Sequence, residues 1–179
     1  MTITAHSTLA SVAAIVAGAL ERAGFRAVLT GGACATVYSA GAYQSFDLDF
    51  ILQRGGGQRA LDEAMAPLGF VREGDRYVHP RSRFYVEFPR GPLAIGDDVA
   101  IRPVRLPLGE GTALALSATD ACRDRLAAFY HWSDRQSLDA AAAIARRHRV
   151  NMRLIRAWSR REGALDQFEE FRLAVRTRR

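Results

Sequence analysis

The chain has 179 residues, 49% of them hydrophobic and 25% charged, with a net charge of +6. This is ordinary globular composition at the length of one medium domain, and it excludes a disordered or fibrous chain. There is no lysine, which excludes a Schiff-base nucleophile and leaves any phosphate clamp to guanidinium groups.

Leu9 to Leu20 is apolar and Ala-rich, with no basic stretch before it, and Glu21-Arg22 closes it after twelve residues. That is too short to span a bilayer and lacks a leader's flanks, so a cytoplasmic protein without a membrane partner is expected. Ser7 can cap this segment as a helix running to about Ala23, with Val12, Ile15, Val16 and Leu20 as its apolar stripe and Gly24 as its stop. Phe25 to Thr30 reads as a short buried strand. Gly31-Gly32 turns it into a helix from Ala33 to Ser39. Phe46 to Leu52 is the next strand, and Arg59 to Leu68 the next helix.

The texture then changes. Residues 70–72, 77–79 and 83–88 look like short strands separated by Gly74-Asp75 and Pro80-Arg81 turns. Residues 104–106 and 113–116 are two more. From Ser117 the chain is helical: 120–132, 134–147, 151–162 and 166 to the end. This order predicts an α+β fold with a mixed sheet, a core over residues 1–116 and a helical C-terminal region over 117–179. Cys34 and Cys122 both fall in apolar helical segments and read as small buried residues rather than a disulfide.

The chemistry gathers around Leu29-Thr30-Gly31-Gly32 and, sixteen residues after Gly31, Asp47-Leu48-Asp49-Phe50. A glycine pair after a strand lets backbone amides approach a phosphate closely. Aspartates at i and i+2 on a strand share one face, which is costly unless a cation or water lies between them. Glu87, inside the apolar run Phe84-Tyr85-Val86-Glu87-Phe88, is a third carboxylate that needs a partner or a metal. Its plainer reading is the solvated face of an edge strand. The cradle and the acids together point to Mg²⁺-assisted phosphoryl or nucleotidyl transfer.

These residues resemble the nucleotidyltransferase superfamily, whose signature is Gly-Gly/Ser, then Asp-x-Asp/Glu, then a third acid on a following strand. The nearer resemblance is to AbiEii-type and minimal nucleotidyltransferase-like bacterial proteins, over roughly residues 25–145. In that group the stretch before the aspartates reads Arg-Ser/Thr-x-Asp-x-Asp; here it is Gln44-Ser45-Phe46-Asp47-Leu48-Asp49. A second motif has a lysine and then Arg-Asp-x-x-Asp. Here Arg125 stands for the lysine, and Arg135-Gln136-Ser137-Leu138-Asp139 carries Gln136 in place of the first Asp.

The resemblance implies a nucleotidyltransferase-fold sheet and transfer from an NTP to an acceptor hydroxyl on RNA, protein or a small molecule, with a toxin–antitoxin or phage-defence role. Asp47, Asp49 and Glu87 would be the catalytic and metal-binding trio, holding Mg²⁺ or alternatively Mn²⁺. Gly31, Gly32, Ser45, Arg125, Arg135 and Asp139 would bind the nucleotide. The departures at Gln44 and Gln136 keep open a non-catalytic member that binds nucleotide or nucleic acid.

Residues 91–98 follow Glu87 directly and read either as a loop over the site or as a connection with Asp97 and Asp98 in water. Residues 146–179 carry eleven Arg against four acids, whereas the rest of the chain is near neutral. Arg149, Arg153, Arg156 and Arg160 recur at helical spacing. They form either a solvated face or one that holds an RNA acceptor by its phosphates. Leu154, Trp158, Leu165, Phe168, Phe171 and Leu173 supply an apolar side to pack on the core or on a second copy of the chain, so a homo-oligomer is left open.

Overall fold

The computed structural model describes residues 2–177. In chain order it contains α1 (Leu9–Arg22), β1 (Arg26–Leu29), α2 (Gly31–Tyr38), β2 (Asp47–Arg54) and α3 (Gln58–Met65). There follow β3 (Val71–Glu73), β4 (Arg76–Val78), β5 (Tyr85–Glu87), β6 (Val104–Leu108) and β7 (Gly111–Ala115). The chain closes with α4 (Ala118–Trp132), α5 (Arg135–Arg147), α6 (Met152–Arg161) and α7 (Leu165–Arg176). Arg178 and Arg179, expected at the end of the last helix, lie outside the described residues. The fold is α+β. No helix among the described residues is long and apolar enough to cross a membrane.

Two boundaries differ from expectation in ways that matter. The cap of α1 is Thr8, whose hydroxyl accepts from the Ser11 N–H at 3.2 Å. Ser7 instead accepts from the Thr4 N–H at 2.9 Å, one turn earlier in the chain. More consequentially, α2 starts at Gly31 rather than Ala33. The glycine pair is therefore the first turn of the helix, where backbone N–H groups have no intrahelical partner.

The strands form one seven-stranded mixed sheet in the order β3-β4-β5-β2-β1-β7-β6. β1 runs antiparallel to β2 and parallel to β7, and β2 runs parallel to β5. Alternation along the strands separates two faces. One carries Leu29, Leu48, Phe50, Tyr77, Val86 and Ala115, all buried, and packs against α1 and α3. Ala14 of α1 comes so close to Gly111 that a side chain there would collide with it. The other face carries Asp47, Asp49, Ile51 and Glu87, each only partly buried.

α2 touches β2, α4 and α5 and so joins the sheet to the helical region. Tyr38 donates its hydroxyl to the Leu116 carbonyl at 2.9 Å. Ser133, at φ 55°, ends α4 in the left-handed conformation and turns α5 back along it. Asp134 then caps α5, accepting from the N–H groups of Gln136 and Ser137. One continuous apolar core runs from Ile3 through the sheet to Trp158, Phe168 and Phe171. Cys34 and Cys122 are free and buried, and burial pushes both thiols well above their usual range.

Candidate active site

Asp49 is the centre of the site. It pairs in register with Glu87 across the parallel β2–β5 junction, as Asp47 does with Tyr85. Register partners in neighbouring strands point to the same side, so Asp47, Asp49 and Glu87 share one face. The main chain of Asp49 is fixed by the cradle: the Thr30 N–H donates to its carbonyl at 2.9 Å. Its carboxylate lies over Gly31, so close that a β-carbon on Gly31 would overlap Oδ2. Gly31 is also at φ +60°, which favours glycine on its own account. Both the close approach and the backbone turn require glycine there.

Gly32 is covered in the same way. A β-carbon there would sit 2.5 Å from the Ser45 hydroxyl. Ser45 is held by its own N–H, which donates to Thr36 Oγ1 at 3.0 Å, while Thr36 donates to the Gly32 carbonyl at 2.9 Å. The Ser45 hydroxyl donates to Asp47 Oδ1. Glycine pair, serine and both aspartates thus form one connected unit at the start of α2.

The electrostatics follow from this crowding. Burial, then the charges of Asp47, Glu87 and Asp124, push the Asp49 carboxyl up to about 6, with Arg125 acting in the opposite direction. Arg125 lies on α4, where its Nε and Nη2 donate to Asp124 Oδ2 at 3.0 and 2.8 Å. Burial pulls its pKa down, but Asp124 and the Tyr43 hydroxyl more than offset this and keep the guanidinium charged. On the other flank Arg76 stands opposite Glu87 in the β4–β5 register and lies 5.3 Å from the Tyr85 ring centroid.

Arg135 and Asp139 are not brought to this centre. Arg135 is bound to Glu170 of α7 and lies 5.4 Å from the Phe129 ring. Asp139, four residues on, shares that exposed side of α5. It is Asp134, just before the expected motif, that feels the charge of Arg125, which helps hold its carboxyl below the usual range after its bonds with Ser137 and Gln136. Within residues 91–98 Asp97 is exposed, as a connection in water would have it, but Asp98 is not free. Asp98 is paired at 2.5 Å with the buried Arg123, and Glu162 packs against Gly96.

Asp124, Tyr43 and Arg76 join the site without a signal in the sequence, because helix packing and strand pairing place them, and Asp134 joins it too. Asp134 alone had one: an aspartate before a helix is a cap, and a cap at the α4–α5 turn must face whatever α4 presents there.

Among the described residues no three His, Cys, Asp or Glu side chains cluster closely enough to hold a metal ion as they stand. The donors are nonetheless all hard oxygens of the kind Mg²⁺ takes. Asp49 is raised first by burial and then by the acids around it, and a divalent cation would favour its charged form. The donor set therefore fits the metal in its chemistry. Compared with family models, curated proteins and solved structures, the chain matches none.

Proposed function

We propose that this chain is a Mg²⁺-dependent nucleotidyltransferase of the cytoplasm, moving a nucleoside monophosphate from an NTP to an acceptor hydroxyl, in a toxin–antitoxin or phage-defence setting. The observation that carries the reading is the Asp49 carboxylate, seated on the glycine-started end of α2 with Asp47 and Glu87 on the same face of the sheet. Asp47, Asp49 and Glu87 would hold the metal, which when bound neutralises triphosphate charge and makes an acceptor hydroxyl more acidic. The amides of Gly31 and Gly32, with the Ser45 hydroxyl, offer donors to phosphate oxygens. Arg125 adds a partly desolvated guanidinium, which stabilises developing negative charge more strongly than an exposed one. Positioning and electrostatics supply the catalysis, as is general for phosphoryl chemistry.

The test is a melting series with NTP, with and without Mg²⁺. At a ligand concentration of about 100 times Kd, stabilisation of roughly 2.7 kcal/mol is expected in Mg²⁺ and little in EDTA. Equal shifts in both would refute the metal-holding role of the carboxylates. The second reading, a non-catalytic nucleotide-binding protein, is favoured by one observation: the Ser45–Asp47 bond occupies a carboxylate oxygen that the metal would need. It is separated by transfer of α-³²P label from NTP to RNA or protein, which a binding protein does not perform.

A further inference from the structure

Phe46 stands immediately before Asp47, and 51% of it is exposed. A phenylalanine beside a charged site normally buries itself, because each Å² of ring left in water forgoes hydrophobic stabilisation. Here the ring is held in place while open. It stacks on the buried Phe84, with centroids 6.4 Å apart and planes 26° apart. The guanidinium of Arg83 lies 5.7 Å from the Phe46 centroid and 4.9 Å from that of Phe84. A cleft of about 410 Å³ opens at this point, walled by residues 5–9 at the start of α1 together with Thr36, Gln44, Ser45, Phe46, Arg83 and Phe84. Its size lies within the range of small-ligand sites.

The wall chemistry narrows the ligand. It offers an aromatic face, a planar cation and a carboxamide that can donate and accept in one plane, and no carboxylate lines it. A metal or an amine finds no counter-charge there. A planar heterocycle with donors and acceptors on its edge finds a stacking surface in Phe46, a partner for its edge in Gln44, and a cation in Arg83 for a carbonyl or phosphate oxygen. Ser45 lines the cleft and donates to Asp47, so this one side chain links the cleft to the proposed transfer site.

We infer that this cleft is a nucleobase subsite, in which a base stacks on Phe46, across Ser45 from the carboxylates. The inference rests on the nucleotidyl-transfer reading for the site next door. The base is that of the NTP itself or the terminal base of an RNA acceptor; the recognising chemistry is the same.

Two titrations in Mg²⁺ separate these sources. The first compares each of the four NTPs with ribose 5-triphosphate, which has the phosphates and no base. The second compares a tetranucleotide RNA with the same strand lacking its 3′ base. In at least one arm the base-bearing ligand should bind wild-type protein about tenfold more tightly, the scale of one aromatic stack. Phe46→Ala should erase that advantage, Phe46→Tyr should retain it, and Arg83→Gln should reduce it. Phe46 is exposed, so its variants are expected to keep the wild-type circular dichroism spectrum. An advantage in the first arm assigns the cleft to the NTP, and in the second to the acceptor. Equal binding with and without the base in both arms, or an advantage that survives Phe46→Ala, overturns the subsite. Failure of wild type to bind any triphosphate overturns the transfer reading instead and leaves the RNA arm to decide the cleft.

Discussion

Asp49 carries its charge at a cost to the fold. An aspartate ordinarily loses its proton near 3.9, and here burial and three neighbouring acids raise that to about 6. The folded state therefore binds this proton more tightly than the unfolded chain does. Stability contributed by Asp49 falls as pH rises from about 4 to about 6, and the penalty is complete above that. At roughly two pH units it is worth up to about 3 kcal/mol. Asp49→Asn should consequently raise the melting temperature of the metal-free protein by roughly 5 °C at pH 7.5, with the gain shrinking toward pH 4. Melts in EDTA across that range test this; a gain that does not change with pH would assign the effect to something other than charge. The same variant should lose the Mg²⁺-dependent stabilisation by NTP. The residues of this centre were legible in the sequence where chemistry repeats at short range: Asp47 and Asp49 by alternation, Gly31 and Gly32 by their place after a strand. Arg135 was misplaced because its partner, Glu170, comes from another helix 35 residues on, and no local pattern announces such a pairing.

At the scale of elements, a buried arginine ties the helical region to the loop after β5, beside the apolar core that they share. Arg123 on α4 is 2% exposed, pairs with Asp98 at 2.5 Å and Asp120 at 3.0 Å, and lies 5.2 Å from the Trp158 ring of α6. It thereby binds the segment after β5, the start of α4 and the middle of α6 together. Removing one member of such a cluster leaves the others charged and poorly solvated. Arg123→Ala should cost about 3 kcal/mol, read from the midpoint of urea unfolding with an unchanged slope; a loss under about 1 kcal/mol would mean that water satisfies Asp98 and Asp120 equally well. Helix positions were legible from periodicity, and Ser117, Asp134 and Asn151 each accept a backbone N–H at the start of the helix that follows. The cap of α1 slipped by one residue because Ser7 and Thr8 are chemically equivalent candidates, and only the Thr4–Ser7 turn decides between them. The anchoring of Asp98 was invisible, since an acid in a Gly-rich loop looks solvated until its partner is placed.

For the whole molecule, charge is unevenly spread. Arg149, Arg153, Arg156 and Arg160 are all exposed around α6, and none of the four is ion-paired with another described residue. If the acceptor is RNA, its affinity should fall steeply with salt, and the quadruple Ala variant should flatten the slope of log K against log salt by up to about three to four units. Filter binding between about 50 and 200 mM salt measures it; superimposable curves would leave these arginines as a solvated surface. The α+β class was legible because helical and strand periods separate cleanly along the chain. The order of the strands was not, because pairing between distant segments leaves no mark in either one.

That strand order has a consequence for synthesis. β1 is laid down first among the strands, yet one of its two neighbours is β7, which ends at Ala115. Until some ninety residues more have left the ribosome, one edge of β1 has no partner, and its Ala27, Val28 and Leu29 are apolar. Closing so long a loop is entropically costly and slow, and an open apolar edge invites pairing with other chains. Nascent chains stalled before Gly111 should therefore be sensitive to protease and recruit chaperones, whereas chains released beyond α4 should not. In this protein the first strand to be made is among the last to be paired on both edges.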